Sequence, residues 1–451
     1  MNARTPRPAE APAKTGRELA ARVVFRVLAE DAWASPSLDG ELSRARLPPS
    51  ESGRATDLVY GVLRVLPALD EAIDQHRPRR DPLEPFTRAC MLTASYELLH
   101  TPEKPWAILD ETVGLIRRER AEALSRFANA VLRKIAAQRP TEPARPKQIV
   151  LPRWLDALLV KDLGADRARA FTGERPMPPP TSLRARGDRD ALIEAIHEAR
   201  PEAELTRGAM SAHAILARGV GDPRKLPGFE RGQMTMMDEA SQLVAEAVGA
   251  RAGERVLDAC AGRGGKTIAI LDAMRASGED DGELIACDDH PEKLLRMDDE
   301  LSRLGHRPAD VVRRGVDLSV GLGGLEERSF DRVLVDAPCT GLGTVHRRPE
   351  ILLRVIEEDI ARLRELQLAI ARNVTKLVRP GGVLVYAVCS PTRAEGIGVV
   401  SPLARETGFT ILREPVGNLA CDDDGMIRLG PWCDPHASCD GFQIARLRRP
   451  D

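Results

Sequence analysis

Two cysteines stand out by their place in the chain. Val333–Glu350 reads VLVDAPCTGLGTVHRRPE and Val385–Ser390 reads VYAVCS. In both, an apolar run with strand character runs into a cysteine: Cys339 in the first, Cys389 in the second. An acid, Asp336, and a proline precede Cys339. Either cysteine alone reads as a buried structural thiol. Two of them at two strand ends beside one crevice do not make a packing pattern. A thiolate is the nucleophilic form, so a lowered cysteine pKa is expected there.

Carbon 5 of cytosine is a poor nucleophile. A thiolate adding to carbon 6 turns the ring into an enamine, and carbon 5 can then attack a methyl sulfonium. One thiol makes the adduct. A second group assists its breakdown after the proton leaves carbon 5. Covalent catalysis thus divides one hard step into easier ones. Asp336 could hold the ring nitrogen or amino group and stabilise the charge that develops there.

A methyl donor needs its own site. Val256–Thr267 reads VLDACAGRGGKT: an apolar strand ends in an acid, passes a Gly-rich turn and opens a helix. Glycines let backbone approach a ligand closely. The turn lacks Walker-loop spacing, and alone it would also suit dinucleotide or phosphate binding. The next strand, ELIACDD, reaches Asp288, whose carboxylate can accept from both ribose hydroxyls of an adenosine cofactor. A helix N-cap is the other reading of Asp288. Asp317 follows the third strand and could reach the adenine amino group.

These residues need a frame that brings strand ends together. From about 236 onward short apolar runs alternate with helical segments, among them ERVLDAC, KTIAILDAM, ELIACD, DRVLVDAP, a long helix around 355–378 and GGVLVYAVCS. That alternation predicts a doubly wound α/β domain, a mainly parallel sheet with helices on both faces. Ligands of such sheets bind beyond the carboxyl ends of the strands. Residues 154–235 read as a small α/β connecting domain, with TSLRAR a strand and DRDALIEAIHEA a helix. Residues 139–153, rich in Pro and basic side chains, read as a linker. Residues 16–138 are helical in pattern throughout: Leu19, Val23, Val24, Val27 and Leu28 share one face, and Leu58, Val59, Val62, Leu63 and Leu66 repeat the spacing. Cys90, Met91, Ala94 and Leu98, then Ile108, Leu109, Val113 and Ile116, continue it. This all-α bundle has no catalytic constellation of its own. Residues 1–15 read as a disordered Pro/Ala tail.

Composition limits the alternatives. A chain of 451 residues suggests two or three domains, and 43% hydrophobic residues can bury real cores. Aromatics are 3%, so base stacking cannot dominate nucleic-acid binding, and a net charge of -2 means that any basic surface is local. Arg117–Arg153 holds ten Lys/Arg against three Glu, either a solvated face or an RNA-contact surface. No transmembrane segment or signal-peptide core is apparent, and eight scattered cysteines fit a reduced, cytoplasmic protein.

Together these motifs resemble the RsmB/Nop/Sun family of RNA cytosine-C5 methyltransferases. DACAGRGGKT is similar to its first motif, DAPCTGLGTVHRRPE to its fourth and VYAVCS to its sixth. RGQMTMMDEASQLVAEAV resembles the approach to the first motif, and CDGFQIARL the closing strand. The helical segment resembles the NusB-like RNA-binding domain of the bacterial RsmB branch. The resemblance spans about residues 16–450. A cysteine in both the fourth and sixth motifs separates this family from DNA cytosine methyltransferases and amino-methylating enzymes.

The resemblance implies a Rossmann-like domain that uses S-adenosyl-L-methionine. It implies Cys389 as nucleophile, Cys339 as the residue that helps release product, and Asp336 to orient the cytosine. Asp288 would bind the cofactor ribose and Asp317 the adenine. The turn Cys260, Ala261, Gly262, Arg263, Gly264, Gly265 and Lys266 would hold the methionine part, with Lys266 and Asp336 near the reaction centre. The implied partner is RNA, small-subunit ribosomal RNA first, with no DNA and no membrane. A monomer is expected. The same chemistry on transfer RNA, and an RNA-binding ribosome assembly factor without turnover, are the alternatives. An unpaired or flipped base is the expected target.

The chain departs from the family at several places. Gly262 and Arg263 stand for Ala-Pro, Met237 for Gln, Val388 for Thr, Gly396 for Asn, Arg186 for Asn and Gln443 for Phe. These changes surround substrate or cofactor, and none removes a residue that the chemistry requires. Two further clusters are ambiguous. Cys421, Cys433, His436 and Cys439 could hold a structural zinc, although the resemblance implies no metal. His346, Arg347 and Arg348 are either a solvated loop or a contact to phosphates beside the target base.

Overall fold

The side chain of Thr15 accepts the N–H of Glu18 and so starts the first helix. The computed structural model describes residues 11–77, 81–174, 179–278, 282–433 and 438–451. Most of the expected N-terminal tail, residues 1–10, lies outside them. The chain divides into two compact units: residues 1–151 with 346–353, and residues 152–345 with 354–451.

The first unit is helical: α1 (Gly16–Ala29), α2 (Ala34–Ala45), α3 (Pro49–Arg64), α4 (Leu66–Asp74), α5 (Pro85–His100), α6 (Pro105–Glu119) and α7 (Glu122–Ala137). Pro49, Pro85 and Pro105 open their helices at the first position, where no N–H partner is lost. Leu19, Val23, Leu58, Val62, Leu98, Ile108 and Ile135 build one core. Arg17 is buried beside it and pairs with Glu97 at 2.5 Å and with Glu111. Half of the basic stretch is neutralised within this unit. Arg117 pairs with Glu122, Arg118 with Glu18, Arg120 with Glu84 and Arg145 with Asp57, while Arg139 donates to the carbonyl of Thr101.

Residues 346–353 belong to this unit, and of the two readings of His346, Arg347 and Arg348 the solvated loop fails at His346. His346 is buried and its carbonyl accepts from Arg64 Nε at 3.2 Å. Glu350, 1% exposed, accepts the N–H of Ala34 at 3.3 Å. That N–H is the first of α2 and has no partner inside the helix, so a carboxylate is favoured there. Of the three, Arg348 is exposed.

The second unit begins with α8 (Arg153–Leu163) and α9 (Ala165–Thr172). A small antiparallel sheet follows: β1 (Thr181–Ala185), β2 (Glu204–Arg207), β3 (Ala214–Arg218) and β4 (Met234–Met236), in the order β2-β3-β1-β4, with α10 (Arg189–Ala199) between β1 and β2. Asp188 caps α10 by accepting the N–H groups of Asp190 and Ala191. Arg186 is a structural keystone here. It forks onto Asp272 at 2.6 and 2.9 Å and donates to the carbonyls of Gly232 and Leu304 at 2.7 Å. An asparagine could not reach these partners at once.

The large sheet is built from β5 (Arg255–Asp258), β6 (Glu283–Asp288), β7 (Val312–Gly315), β8 (Phe330–Asp336), β9 (Val378–Val388), β10 (Thr410–Ile411), β11 (Ile427–Leu429) and β12 (Phe442–Arg448). Its order is β10-β12-β9-β8-β5-β6-β7, with β11 paired to β12. The pairs from β7 to β9 are parallel, while β12 runs antiparallel to β9. Helices α11 (Glu239–Val248), α12 (Gly265–Ala276), α13 (Pro291–Leu295), α14 (Met297–Arg303), α15 (Glu357–Thr375) and α16 (Ile397–Thr407) complete the unit. Two separate apolar clusters, one containing Leu243, Ile270 and Val385 and the other Leu257, Val335 and Leu368, match a sheet covered on both faces. The order reverses between β5 and β8, so their carboxyl ends, with the turn after β9, form the crevice where such folds bind ligands.

Candidate active site

Strand order brings both cysteines to that crevice. Cys339 follows β8, Cys389 follows β9, and their sulfurs lie 3.2 Å apart. Backbone bonds lock the two turns together: Ala337 N–H donates to Ala387 at 2.9 Å and Gly343 N–H donates to Cys389 at 3.0 Å. A β-carbon on Gly343 would lie 1.9 Å from the carbonyl oxygen of Gly441, so only glycine permits this approach. Gly343→Ala is expected to destabilise the protein by about 1–3 kcal/mol through backbone displacement. Urea unfolding of variant and wild type measures this, and equal midpoints would refute it.

Burial and bonding to Cys389 act on Cys339. The hydrogen bond with Cys389 comes first, burial second, and together they hold the Cys339 thiol well above its ordinary range. The two sulfurs share one hydrogen-bond contact, in which either thiol can donate. Lys266, at the start of α12, donates to Asp336 Oδ2 at 2.6 Å. Burial pulls the Lys266 pKa down, but the charge and hydrogen bond of Asp336 outweigh it and raise the pKa overall, and the neighbouring Cys389 acts in the same sense. Its ammonium also lies 5.5 Å from the ring centroid of Phe442.

The glycine turn after β5 lies beside this group. Gly262 and Gly264 have positive φ, 56° and 84°. A β-carbon on Gly262 or Gly265 would meet nothing within 4 Å, so the turn's backbone borders open space. Asp288, buried at the end of β6, accepts the Gly262 N–H at 2.8 Å, the His290 N–H at 3.0 Å and Lys293 Nζ at 3.3 Å. Cys260 and Ala261 are half-buried and Arg263 is exposed. Asp317 is exposed and accepts from the N–H and hydroxyl of Ser319 at 2.9 and 2.6 Å. An acid at a strand end and an open glycine turn before a helix suit the ribose and amino-acid parts of S-adenosylmethionine.

Asp258, which ends β5, is fully buried, and burial raises its carboxyl to about 6, with the charge of Asp336 adding and a hydrogen bond from Thr267 opposing. In the unfolded chain it ionises first, near pH 4. Its contribution to stability is therefore full below about pH 4 and is lost as the pH rises through about 6. The gap corresponds to about 3 kcal/mol. Asp258→Asn cannot ionise, so unfolding free energies should show wild type losing about this much relative to the variant between pH 4 and 7. Parallel pH profiles would count against it.

Sequence reasoning passed over Glu395, which is fully buried and accepts from residues next to both cysteines. Its signal was an acid six residues after Cys389 in a segment otherwise read for departures. The other departures have structural partners: Gln443 donates to the carbonyls of Ser390 and Thr392, and the Met237 carbonyl accepts from Ser182 and Gln242. Val388 is buried in β9. Cys421 and Cys433 donate to the carbonyls of Glu414 and Arg428, and Cys439 to that of Asp440. Among the described residues, no three metal-capable donors that include these cysteines lie within 4.8 Å of one another, and His436 lies outside those residues. A cavity of about 500 Å³ elsewhere in this unit is lined by Arg184, Arg186, His213, Gln242, Glu246 and Asp272, and by neither cysteine of the pair nor Lys266, Asp288 or Asp336.

Residues 245–448 match the family described as 16S rRNA methyltransferase RsmB/F, and residues 14–137 match the NusB family. The ribosomal RNA small subunit methyltransferase B of Sodalis glossinidius is 30% identical over 443 residues, covering 96% of this chain and 97% of the relative. The chain belongs to the RsmB/F methyltransferase family. The probable ribosomal RNA small subunit methyltransferase B of Bacillus subtilis is 28% identical, over 86% of this chain and 88% of that one. Among solved structures, PH0851 is similar with a TM-score of 0.80 at 21% identity, covering 98% of this chain and all of that one. NSun6 from Pyrococcus horikoshii with SFG has a TM-score of 0.54 at 19% identity, over 67% of this chain and 99% of that one. This RsmB/F member is thus an RNA methyltransferase that depends on S-adenosylmethionine, with a NusB-type helical domain ahead of its catalytic sheet. Among the described residues, no helix is long and apolar enough to cross a membrane.

Proposed function

We propose that this enzyme methylates carbon 5 of a cytosine in small-subunit ribosomal RNA through a covalent adduct with Cys389. The observation that carries the reading is the pair of sulfurs 3.2 Å apart at adjacent strand ends. The curated relatives' names supply the RNA. The NusB-family match supports the helical domain as the part that docks it.

S-adenosylmethionine supplies the methyl group as an electrophile when bound. The glycine turn 260–266 and Asp288 hold it, and Asp317 serves the adenine. Cys389 adds to carbon 6 as a thiolate. Two neighbours favour that charge: the protonated Cys339 and the Lys266 ammonium. Asp336 accepts from the cytosine amino group and keeps Lys266 in place. Carbon 5 takes the methyl group and S-adenosylhomocysteine leaves. The carbon-5 proton then passes to solvent water, and its electron pair re-forms the 5,6 double bond. The bond from carbon 6 to sulfur breaks, and Cys389 leaves as a thiolate that accepts a hydrogen bond from the Cys339 thiol. Cys339, in contact with that sulfur, assists this elimination.

Purified protein, tritiated S-adenosylmethionine and unmodified small-subunit ribosomal RNA test the reading. Nucleoside digestion should place the label in 5-methylcytidine. Label in another nucleoside would end the carbon-5 reading. Label only in transfer RNA would change the substrate. Binding of either RNA without transfer would leave an RNA-binding assembly factor.

A further inference from the structure

Glu395 sits on the turn between β9 and α16 and is wholly buried. One carboxylate oxygen accepts from the Thr340 N–H at 2.8 Å and from Gln367 Nε2 at 3.1 Å. The other accepts from the hydroxyls of Thr340 at 2.7 Å, Ser390 at 2.5 Å and Thr392 at 3.1 Å. Thr340 follows Cys339 and Ser390 follows Cys389. A single side chain therefore grips the neighbours of both thiols, on turns 50 residues apart in the chain. These partners of the carboxylate are all neutral donors. Burying a charge among neutral donors is costly, and neutral side chains could close a turn without that cost.

The surroundings fix Glu395 itself. The buried Tyr386 hydroxyl donates to its backbone carbonyl at 2.7 Å. Gln443 Nε2 donates to the carbonyls of Ser390 at 2.8 Å and Thr392 at 2.7 Å. A β-carbon at position 396 would lie 2.2 Å from Gln443 Oε1. Gly396 and Gln443 are thus a matched pair: the missing side chain makes room for the amide that holds the Cys389 turn.

We infer that Glu395 is a positioning residue whose carboxylate sets the separation of the Cys339 and Cys389 sulfurs, so that both face one cytosine. It acts through Thr340 and Ser390 and touches neither base nor cofactor. This rests on the two-cysteine reading above. Misplacing reacting groups by about 1 Å can cost about a hundredfold in rate.

The test uses small-subunit ribosomal RNA transcribed with 5-fluorocytidine, together with S-adenosylmethionine. Fluorine does not leave carbon 5 as a proton does, so the adduct persists and a protein–RNA conjugate reports attack by Cys389. Glu395→Gln puts an amide donor against existing donors. It is expected to slow conjugate formation about a hundredfold, with cofactor Kd near wild type and a melting midpoint lowered by only a few degrees. Ser390→Ala removes one hydroxyl on the Cys389 side and should slow it about tenfold. Wild-type rates in both variants would overturn the inference. So would slowing that comes with equal loss of cofactor binding and thermal stability, because that marks general loss of structure. If wild type forms no conjugate, the two-cysteine reading fails first and this inference falls with it.

Discussion

Cys389→Ala is expected to abolish methyl transfer to RNA, and Cys339→Ala to accumulate a covalent protein–RNA adduct. The two variants differ because the thiols act at different stages. Without Cys389 no enamine forms and carbon 5 stays unreactive. The loss should reach about four orders of magnitude or more, the scale on which deleting a covalent nucleophile acts. Without Cys339 the attack still occurs but the elimination loses its assistant. Turnover should fall by about 10²–10⁴, and the adduct should appear as a slow band on a denaturing gel. The assignment is reversed if Cys339→Ala is dead without an adduct while Cys389→Ala traps one. Transfer by both variants at near wild-type rates would remove the covalent mechanism altogether.

Asp336→Asn should lower kcat by about 10²–10³, the cost of losing one oriented hydrogen-bonding group at the reacting base, here the carboxylate acceptor for the cytosine amino group. The amide can still accept from Lys266, so the fold should survive. What disappears is the negative charge beside the reacting base. Asp336→Ala is harsher, because it leaves the Lys266 ammonium without its 2.6 Å partner. The pair is half-buried, so breaking it in this way costs about 1.5–3 kcal/mol, the scale of a hydrogen bond to a charged group. The two variants should therefore separate chemistry from stability: the amide slow but stable, the alanine slow and unstable. Steady-state kinetics on RNA with parallel urea unfolding decides. A kcat within threefold of wild type for Asp336→Asn would show that the carboxylate serves only Lys266.

Much of this molecule was legible in one dimension. Apolar spacing placed a helical segment over residues 16–138 ahead of an alternating α/β segment, because burial is periodic along a helix or strand and periodicity is local. The strand ends marked the candidate residues, since parallel sheets present ligands at their carboxyl edges. Cys339, Cys389, Asp336, Lys266 and Asp288 all reach one crevice. The basic stretch at 117–153 read as free charge, yet its partners Glu18, Glu84 and Asp57 lie far away in sequence.

Other features needed the tertiary structure. His346, Arg347 and Arg348 read as a solvated loop or a phosphate contact because His-Arg-Arg is polar, and no local pattern says that Glu350 will meet the N-terminus of α2. Arg186 looked like a change beside the substrate, but it joins Asp272 to the carbonyls of Gly232 and Leu304. The amino-acid order by itself determined which residue types stand at which strand ends. Folding decided which ends are neighbours, and with that the 3.2 Å between two sulfurs and the single carboxylate that grips both turns. The reason is physical: helix and strand periods are encoded within a few residues, whereas a buried polar group is satisfied by partners that only strand order brings near.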